Sequence, residues 1–303
     1  LGSATTIDTN ATNTTGDITI GAVTGSNNNL TLDTTTTTGS ADNTFNGDIN
    51  LGTGALSVTG DVVLGANVTV TATPSGGTGI VFNDAINADN ATNNDRTLTL
   101  DAGTASNVFV IGSVGASQAL AGLTVTQSNG IGFFSSVDVT DTNSGTITLT
   151  DTQDNILIIF TDVIADNFVT ASQGYALRLL GNATFANAVT FQNTGTLQLG
   201  DATGDSFTFN GGLNTASVGG TVTVNGTLAT SNDAVVLGAV TLGSNTTIDT
   251  NATDGTGDIT IAAVTGGSNT LTLSTGNNVA NSDITASGNI SGVTTLTLAD
   301  VGG

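Results

Sequence analysis

Carboxylates are the only side chains in this sequence frequent enough to carry acid–base or metal chemistry. All 24 acidic residues are aspartates, whereas the 303-residue chain has two arginines and no lysine, histidine or cysteine. Two carboxylates are sufficient for glycoside hydrolysis, and several oxygen ligands are sufficient for calcium. The densest acidic stretches contain Asp151, Asp154, Asp162 and Asp166, and then Asp201 and Asp205.

The spacing of these aspartates matches no known calcium loop. The chain lacks a GGxGxD nonapeptide and an EF-hand pattern, and aspartate is also a turn residue that bonds its own backbone. Asparagines at turns are expected to bond one another in ladders. We therefore expect no catalytic residues and no cofactor beyond incidental calcium. The candidate calcium ligands are Asp151, Asp154, Asp162 and Asp166.

The charge balance excludes several partners. A net charge of −22 leaves no basic patch to neutralise the phosphates of nucleic acid or to dock on anionic lipid. No apolar run approaches the 18 or so residues that a membrane-spanning helix needs. We therefore expect neither a nucleic-acid partner nor a membrane span.

The elements that position these side chains are short strands. Segments such as "DITI" (17–20), "TLTL" (97–100) and "TVTV" (221–224) alternate apolar and polar residues, as strands with one buried face do. Gly, Asn and Asp separate them, and good helix formers are scarce. The sequence therefore predicts an all-β fold with almost no helix, either tandem β-sandwiches or a β-solenoid.

An internal repeat favours the solenoid. Residues 1–34 and 242–275 share 26 identical positions without a gap, 241 residues apart. That distance is close to eleven times a shorter apolar period of 22, and sandwich domains would need a much longer period. We predict a parallel β-helix with about 22 residues per coil and about fourteen coils. Residues 1–303 would form one continuous segment of a longer repeat protein. Predicted stacked pairs include Val58 with Ile80, Leu177 with Leu199, and Leu213 with Val235.

Stacking of coils closes a core that no single coil buries alone. Residues 151–180 form the most apolar stretch, and they are either a more deeply packed coil or a lateral docking surface. The aromatic side chains expected to point inward are Phe133, Phe134, Phe185, Phe191, Phe207 and Phe209.

The amino-acid sequence of the repeats is similar to that of a known protein family. The segments "VTLGSNTTIDTNATDGTGDITI" (240–261) and "FQNTGTLQLGDATGDSFTFNGGL" (191–213) resemble the filamentous-haemagglutinin-like and beta strand repeat proteins of bacteria. The resemblance implies a right-handed parallel β-helix, secretion, and a place on the cell surface or in an extracellular fibre or matrix. It carries over no catalytic residues.

The expected function is structural or adhesive: a rigid extracellular rod or fibre without turnover. Its expected partners are other copies or further segments of the same chain, joined end to end. The surface of a host or neighbouring cell, or a polysaccharide, is a further expected partner. Two alternatives stay open: a carbohydrate-active β-helix using Asp pairs, and an ice-binding solenoid with a regular T-x-T grid on one face.

Overall fold

The chain folds as a β-solenoid. A computed structural model describes residues 1–9, 16–35, 41–89, 96–141, 144–150, 153–276 and 280–301. Those residues contain no helix, and their parallel strands stack in about 11 turns that lie roughly 24 residues apart. The chain divides into two compact units, unit 1 at Leu1–Phe160 and unit 2 at Thr161–Gly303.

The longest described strand of unit 1 has nine residues, and the longest of unit 2 has fifteen. The strands of unit 1 are β1 Thr5–Asp8, β2 Ile18–Ile20, β3 Val23–Thr24, β4 Leu30–Asp33, β5 Asn43–Phe45, β6 Ile49–Gly52, β7 Leu56–Thr59, β8 Val62–Leu64, β9 Val68–Ala72, β10 Thr78–Phe82, β11 Ile86–Ala88, β12 Thr97–Asp101, β13 Asn107–Val110, β14 Gly122–Gln127, β15 Ile131–Val139 and β16 Thr146–Leu149. Strand β17, Leu157–Ala165, contains the unit boundary. The strands of unit 2 are β18 Asn167–Thr170, β19 Ala176–Leu179, β20 Ala183–Phe185, β21 Val189–Thr190, β22 Leu197–Leu199, β23 Ser206–Phe209, β24 Leu213–Asn214, β25 Val222–Thr230, β26 Val235–Asp249, β27 Ile259–Thr265, β28 Thr270–Ser274, β29 Ile284–Ala286, β30 Ile290–Ser291 and β31 Thr295–Ala299.

Unit 1 has three faces, which the chain visits in rotation. Face A consists of β1, β4, β7, β10, β13 and the start of β15, each paired in parallel with the next. Face B consists of β2, β5, β8 and β11. Face C consists of β3, β6, β9, β12, β14 and β16. From β1 to β12, each turn of the chain therefore contributes one strand to each face.

The core of unit 1 is built from columns of apolar side chains. On face A the inward column runs through Leu32, Val58, Phe82, Val110 and Phe133, each paired with the next. All five side chains are buried. Because successive residues of a strand point to opposite faces, the residues between them point outward.

Unit 2 also has three faces, but some of its strands continue around corners. Strand β26 pairs through residues 235–236 with β24, through 240–242 with the start of β25, and through 246–249 with β28. Strands β25 and β27 each run along two faces in the same way. The single strand β26 therefore contributes to three faces, whereas unit 1 uses a separate short strand for each face.

The predicted coil of about 22 residues is close to the observed spacing, in which turns lie roughly 24 residues apart. Paired residues lie between 18 residues apart, at Val222 and Val240, and 30 apart, at Val68 and Leu98. The strands stack in about 11 turns, fewer than the predicted fourteen coils.

The predicted stacked pairs show the size of the error. Val58 pairs with Phe82 rather than Ile80, and Leu177 pairs with Leu197 rather than Leu199. Leu213 pairs with Val235, as predicted. An error of two residues leaves a side chain on the same face of a strand, and the inward assignment therefore survives.

The sequence repeat corresponds to a repeat of local register. Thr5 pairs with Leu30, and the equivalent residues of the second copy, Thr246 and Leu271, pair in the same way. The pairing of β2 with β5 recurs at β27 and β29, and that of β3 with β6 recurs at β27 and β30. The two copies thus have the same strand pairing.

Candidate functional site

The candidate calcium ligands do not form a described cluster. Asp151 lies outside the described residues. Asp154 belongs to unit 1, whereas Asp162 and Asp166 belong to unit 2. Among the residues that the structure describes, no group of three or more acidic side chains is placed to hold a metal ion.

Two of the candidate carboxylates, Asp162 and Asp205, accept hydrogen bonds from the backbone. Oδ1 of Asp162 accepts a hydrogen bond from the Asn182 N–H at 2.7 Å. Oδ2 of Asp205 accepts from the N–H groups of Asp201 and Ala202, both at 2.7 Å. Asp205 therefore closes a turn in the way expected of aspartate, and the Asp201–Asp205 pair has one carboxylate engaged by its own loop.

Asp162 is one case of a rule that holds at many corners. An Asp or Asn at a corner accepts a hydrogen bond, through its side-chain oxygen, from the backbone N–H of the matching residue one coil later. Most of these residues lie just before a strand, whereas Asp162 and Asn245 lie within the long strands β17 and β26. The pairs are Asp17 with Asp42, Asn29 with Ala55, Asp48 with Thr69, Asp61 with Ala85, Asn67 with Thr97, Asn182 with Ser206, Asn245 with Thr270, and Asp258 with Asp283. We call these contacts corner bonds.

The corner bonds correct the expected asparagine ladders. Side chain to side chain bonding does occur between Asn187 and Asn167, at 3.0 Å. The recurring contact, however, joins a side-chain oxygen to a backbone N–H of the next coil. Such a bond satisfies a donor that strand pairing leaves unused at the corner. Aspartate serves as well as asparagine there, because only an acceptor is needed.

Two carboxyl groups have shifted acidities. Partial burial, followed by repulsion from Asp17 and Asp61 above and below it, raises the pKa of Asp42. Hydrogen bonds, first from the Thr256 hydroxyl and then from Asn232, lower the pKa of Asp254. The Thr256 Oγ1 donates to Asp254 Oδ1 at 2.6 Å. The first shift involves aspartates stacked at a corner, whereas the second comes mainly from a hydrogen bond within one turn.

The aromatic side chains reveal a different kind of site. Of the 11 phenylalanines, nine are buried and two, Phe109 and Phe134, point outward in unit 1. The inward prediction is therefore correct for five of its six residues and wrong for Phe134, which is 50% exposed. Phe133 is inward, and its immediate neighbour in a strand must point to the opposite face.

Phe109 and Phe134 line a groove on face A. The outward column of this face runs from Val81 to Phe109 and then to Gly132. Gly132 has no side chain, and a Cβ placed there would lie 2.3 Å from the tip of the Phe134 ring. The ring of Phe134 thus lies over the glycine, with its centroid 6.0 Å from that of Phe109 and the planes tilted by 39°.

We call this feature the aromatic groove. It has a volume of about 180 Å³. Its apolar walls come from three adjacent strands of unit 1, and none of its lining residues is charged. The lining residues are Asn107, Phe109, Gly130, Ile131, Gly132, Phe134, Leu157 and Ile159. Ile111 lies two residues after Phe109 in the chain and is 47% exposed.

A sequence signal for the groove was present. Strands with one buried face alternate, but "NVFV" (107–110), "GFF" (132–134) and "ILIIF" (156–160) are apolar at consecutive positions. Such runs predict that both faces of a strand are apolar. Of the apolar stretch 151–180, Leu157 and Ile159 lie on the groove, whereas Tyr175 is fully buried and bonds Ala171 through its hydroxyl.

Threonine forms columns on the outer surface. On face C, four threonines stack one coil apart, at Thr69, Thr99, Thr124 and Thr148. The next column contains Gly122 between two threonines, and the column on the other side contains Asp101. The T-x-T grid expected of an ice-binding face is therefore interrupted on both sides of this column.

Comparison with protein-family models, with curated proteins and with solved structures returned no match. Within the described ranges, no helix has the length and apolarity needed to cross a membrane.

Proposed function

We propose that this protein is a structural and adhesive component of the bacterial cell exterior, with a rigid solenoid body and no catalytic turnover. Secretion and a surface or matrix location follow from the resemblance of the repeats to filamentous-haemagglutinin-like proteins. The stacked coils themselves carry this function, because their polar side chains join one coil to the next.

The corner bonds are the observation that carries the proposal. Each joins consecutive coils through a side chain, in addition to the backbone pairing of the strands. A charge-assisted or amide acceptor on a backbone N–H contributes about 1 kcal/mol. Repeated at many corners, this contribution favours a stiff body over a flexible one.

The same bonds argue against the carbohydrate-active alternative. A glycosidase needs two carboxylates facing one cleft, one to protonate the leaving oxygen and one to act as base or nucleophile. Asp162 and Asp205 each have an oxygen engaged by backbone N–H groups. Carboxylates held in this way stabilise coils and turns.

Further coils are the proposed partners at the ends. Strand β31 places Leu296 and Leu298 in the inward column after Leu271 and Leu273. They are 43% and 58% exposed, since no described coil packs on them. Burying such side chains is favourable by roughly 1.5–3 kcal/mol each. We propose that more of the same chain, or another copy, covers them.

Labelling of intact cells tests the proposal. An antibody against unit 2 should decorate unpermeabilised cells of the source bacterium or fibres around them, and brief external protease treatment should remove the label. Cells permeabilised after the same treatment serve as the control. Label that appears only after permeabilisation, and that survives external protease, would contradict a surface role.

A further inference from the structure

We infer that the aromatic groove of unit 1 binds an uncharged sugar ring of a polysaccharide. This inference gives the adhesive part of the proposed function a ligand class, and it rests on that function only for where the ligand is met. The binding itself is a property of the groove and can be measured on the purified chain.

The shape of the groove fits a flat, partly apolar ligand. Two tilted rings, Phe109 and Phe134, stand beside a floor that contains Gly130 and Gly132. A pyranose ring presents C–H groups on its faces, and these pack against the negative face of an aromatic ring. The walls formed by Leu157 and Ile159 are apolar as well, so that only the rim can hydrogen-bond.

Asn107 supplies that polar rim. Its side chain lines the groove, and a Cβ at Gly130 would lie 3.3 Å from its Oδ1. Most other asparagines discussed above are engaged in coil contacts. Among the described residues, by contrast, the Asn107 side chain has no hydrogen-bond partner. An amide offers both donors and an acceptor, which matches the hydroxyl pairs of a sugar.

The negative charge of the chain further limits the chemical class of the ligand. The net charge of −22 repels anionic polymers, including nucleic acid and acidic polysaccharides. The groove contains no carboxylate that would select a cation. An uncharged ligand with hydroxyl groups and an apolar face is the class that remains.

A second copy of the chain fits the groove less well. Stable protein interfaces bury about 800 Å² on each partner. Such an interface uses about 20–30 residues on each side, whereas the aromatic groove is lined by eight residues. Two chains of charge −22 also repel each other. Self-association is therefore the competing outcome that the test must detect.

Affinity electrophoresis of the full chain tests the inference. Native gels would contain one of a panel of neutral polysaccharides built from glucose, galactose, mannose or N-acetylglucosamine, in α and β linkages, with alginate as the anionic comparison. We expect at least one neutral polymer to retard the chain and alginate to leave it unretarded.

Three variants assign the retardation to the groove. The double variant Phe109→Leu, Phe134→Leu keeps the apolar volume but removes both rings, and it should bind about tenfold more weakly or worse, as loss of a central contact does. Asn107→Asp keeps the shape and removes the donors, and it should also weaken binding. The matched control is Ile164→Thr, which changes a side chain of unit 2 that is 48% exposed and pairs with Thr184.

The outcomes separate the alternatives. No retardation by any neutral polymer, or retardation that the double Leu variant retains, overturns the inference. Sedimentation equilibrium is run on the same proteins. A wild-type oligomer that becomes monomeric in the double variant would make the groove a self-association surface and would also overturn it. None of these results bears on the cell-labelling experiment, which tests location alone.

Discussion

The two units differ in where they place phenylalanine. In unit 2 every phenylalanine is inside, where Phe185 contacts Phe168 at 5.4 Å and Phe209 at 5.3 Å between ring centroids. Unit 1 also buries phenylalanines, and its Phe133 and Phe160 rings stack at 4.6 Å. Only unit 1 places two rings on an outer face.

The difference shows that parity along a strand, rather than hydrophobicity, decides where a ring lies. Phe207 and Phe209 are two residues apart and both point inward. Phe133 and Phe134 are adjacent, and they must point to opposite faces. Two consecutive large apolar residues in a strand therefore predict that one of them points outward. Unit 2 has no such pair of phenylalanines.

Truncation of rings gives the largest expected difference between the units. Phe185→Ala should reduce the free energy of unfolding by about 3–5 kcal/mol, because a buried ring leaves a cavity. Phe134→Ala should reduce it by about 1 kcal/mol or less, because half of that ring is already in water. Urea unfolding followed by circular dichroism measures both. Equal losses would remove the distinction between core and surface rings.

Corner bonds should matter by a smaller amount and in both units. Asp162→Ala in unit 2 should lower the free energy of unfolding by about 1 kcal/mol, since the Asn182 N–H loses its acceptor. Asp17→Ala in unit 1 should cost less, because the bond lost from the Asp42 N–H is partly offset by relief of the repulsion between Asp17 and Asp42. Asp162→Asn is the control and should stay within about 0.5 kcal/mol of the wild type, since the acceptor remains. A loss as large for Asn as for Ala would assign the effect to charge.

The charge of the corners distinguishes the two copies of the repeat. In unit 1, Asp42 lies between Asp17 and Asp61, whereas its equivalent in unit 2, Asp283, adjoins Asp258. The raised pKa of Asp42 means that the folded chain holds this proton more tightly than the unfolded chain does. Its contribution to stability is complete below the ordinary value of 3.8 and is lost as the pH rises through the raised folded value.

Replacing Asp42 tests the direction of this change in stability with pH. Asp42→Asn should raise the free energy of unfolding by roughly 0.5 kcal/mol at neutral pH, the scale of partly exposed charge pairs. The gain should vanish at about pH 3, where the carboxyl is protonated in both states. Asp283→Asn should give a smaller gain at neutral pH. Thermal unfolding at the two pH values measures these differences, and a gain at Asp42 that is independent of pH would exclude electrostatic repulsion as its cause.

The smallest effect on stability is expected at Gly132. Gly132→Ala should change the free energy of unfolding by no more than about 0.5 kcal/mol, because the new Cβ meets only the tip of the Phe134 ring, which can move into solvent. The ring should nevertheless leave its position beside Phe109. Fluorine NMR of a chain that carries 4-fluorophenylalanine would show a shifted resonance for Phe134. An unshifted resonance would mean that the groove does not depend on the glycine.

Much of the fold was predictable, because each turn of a parallel solenoid repeats the same pattern of buried and exposed residues. Alternating segments such as those at β12 and β25 predicted inward and outward residues, and the long repeat predicted matching registers. The coil length was not predictable to a residue, since corners absorb insertions that no strand pattern records: Asn43 and Val62 are paired across 19 residues, and Val68 and Leu98 across 30. The corner bonds escaped prediction because they join residues in different coils, whose partners depend on those lengths.

The corner bonds also have a direction. At Asp17, Asp162 and Asp258 the side chain of the earlier coil accepts, and the backbone of the later coil donates. A finished coil therefore offers a row of acceptors to chain that has not yet been synthesised. We expect these residues to favour vectorial folding from the amino terminus, in which each coil serves as the template for the next as it emerges from the ribosome.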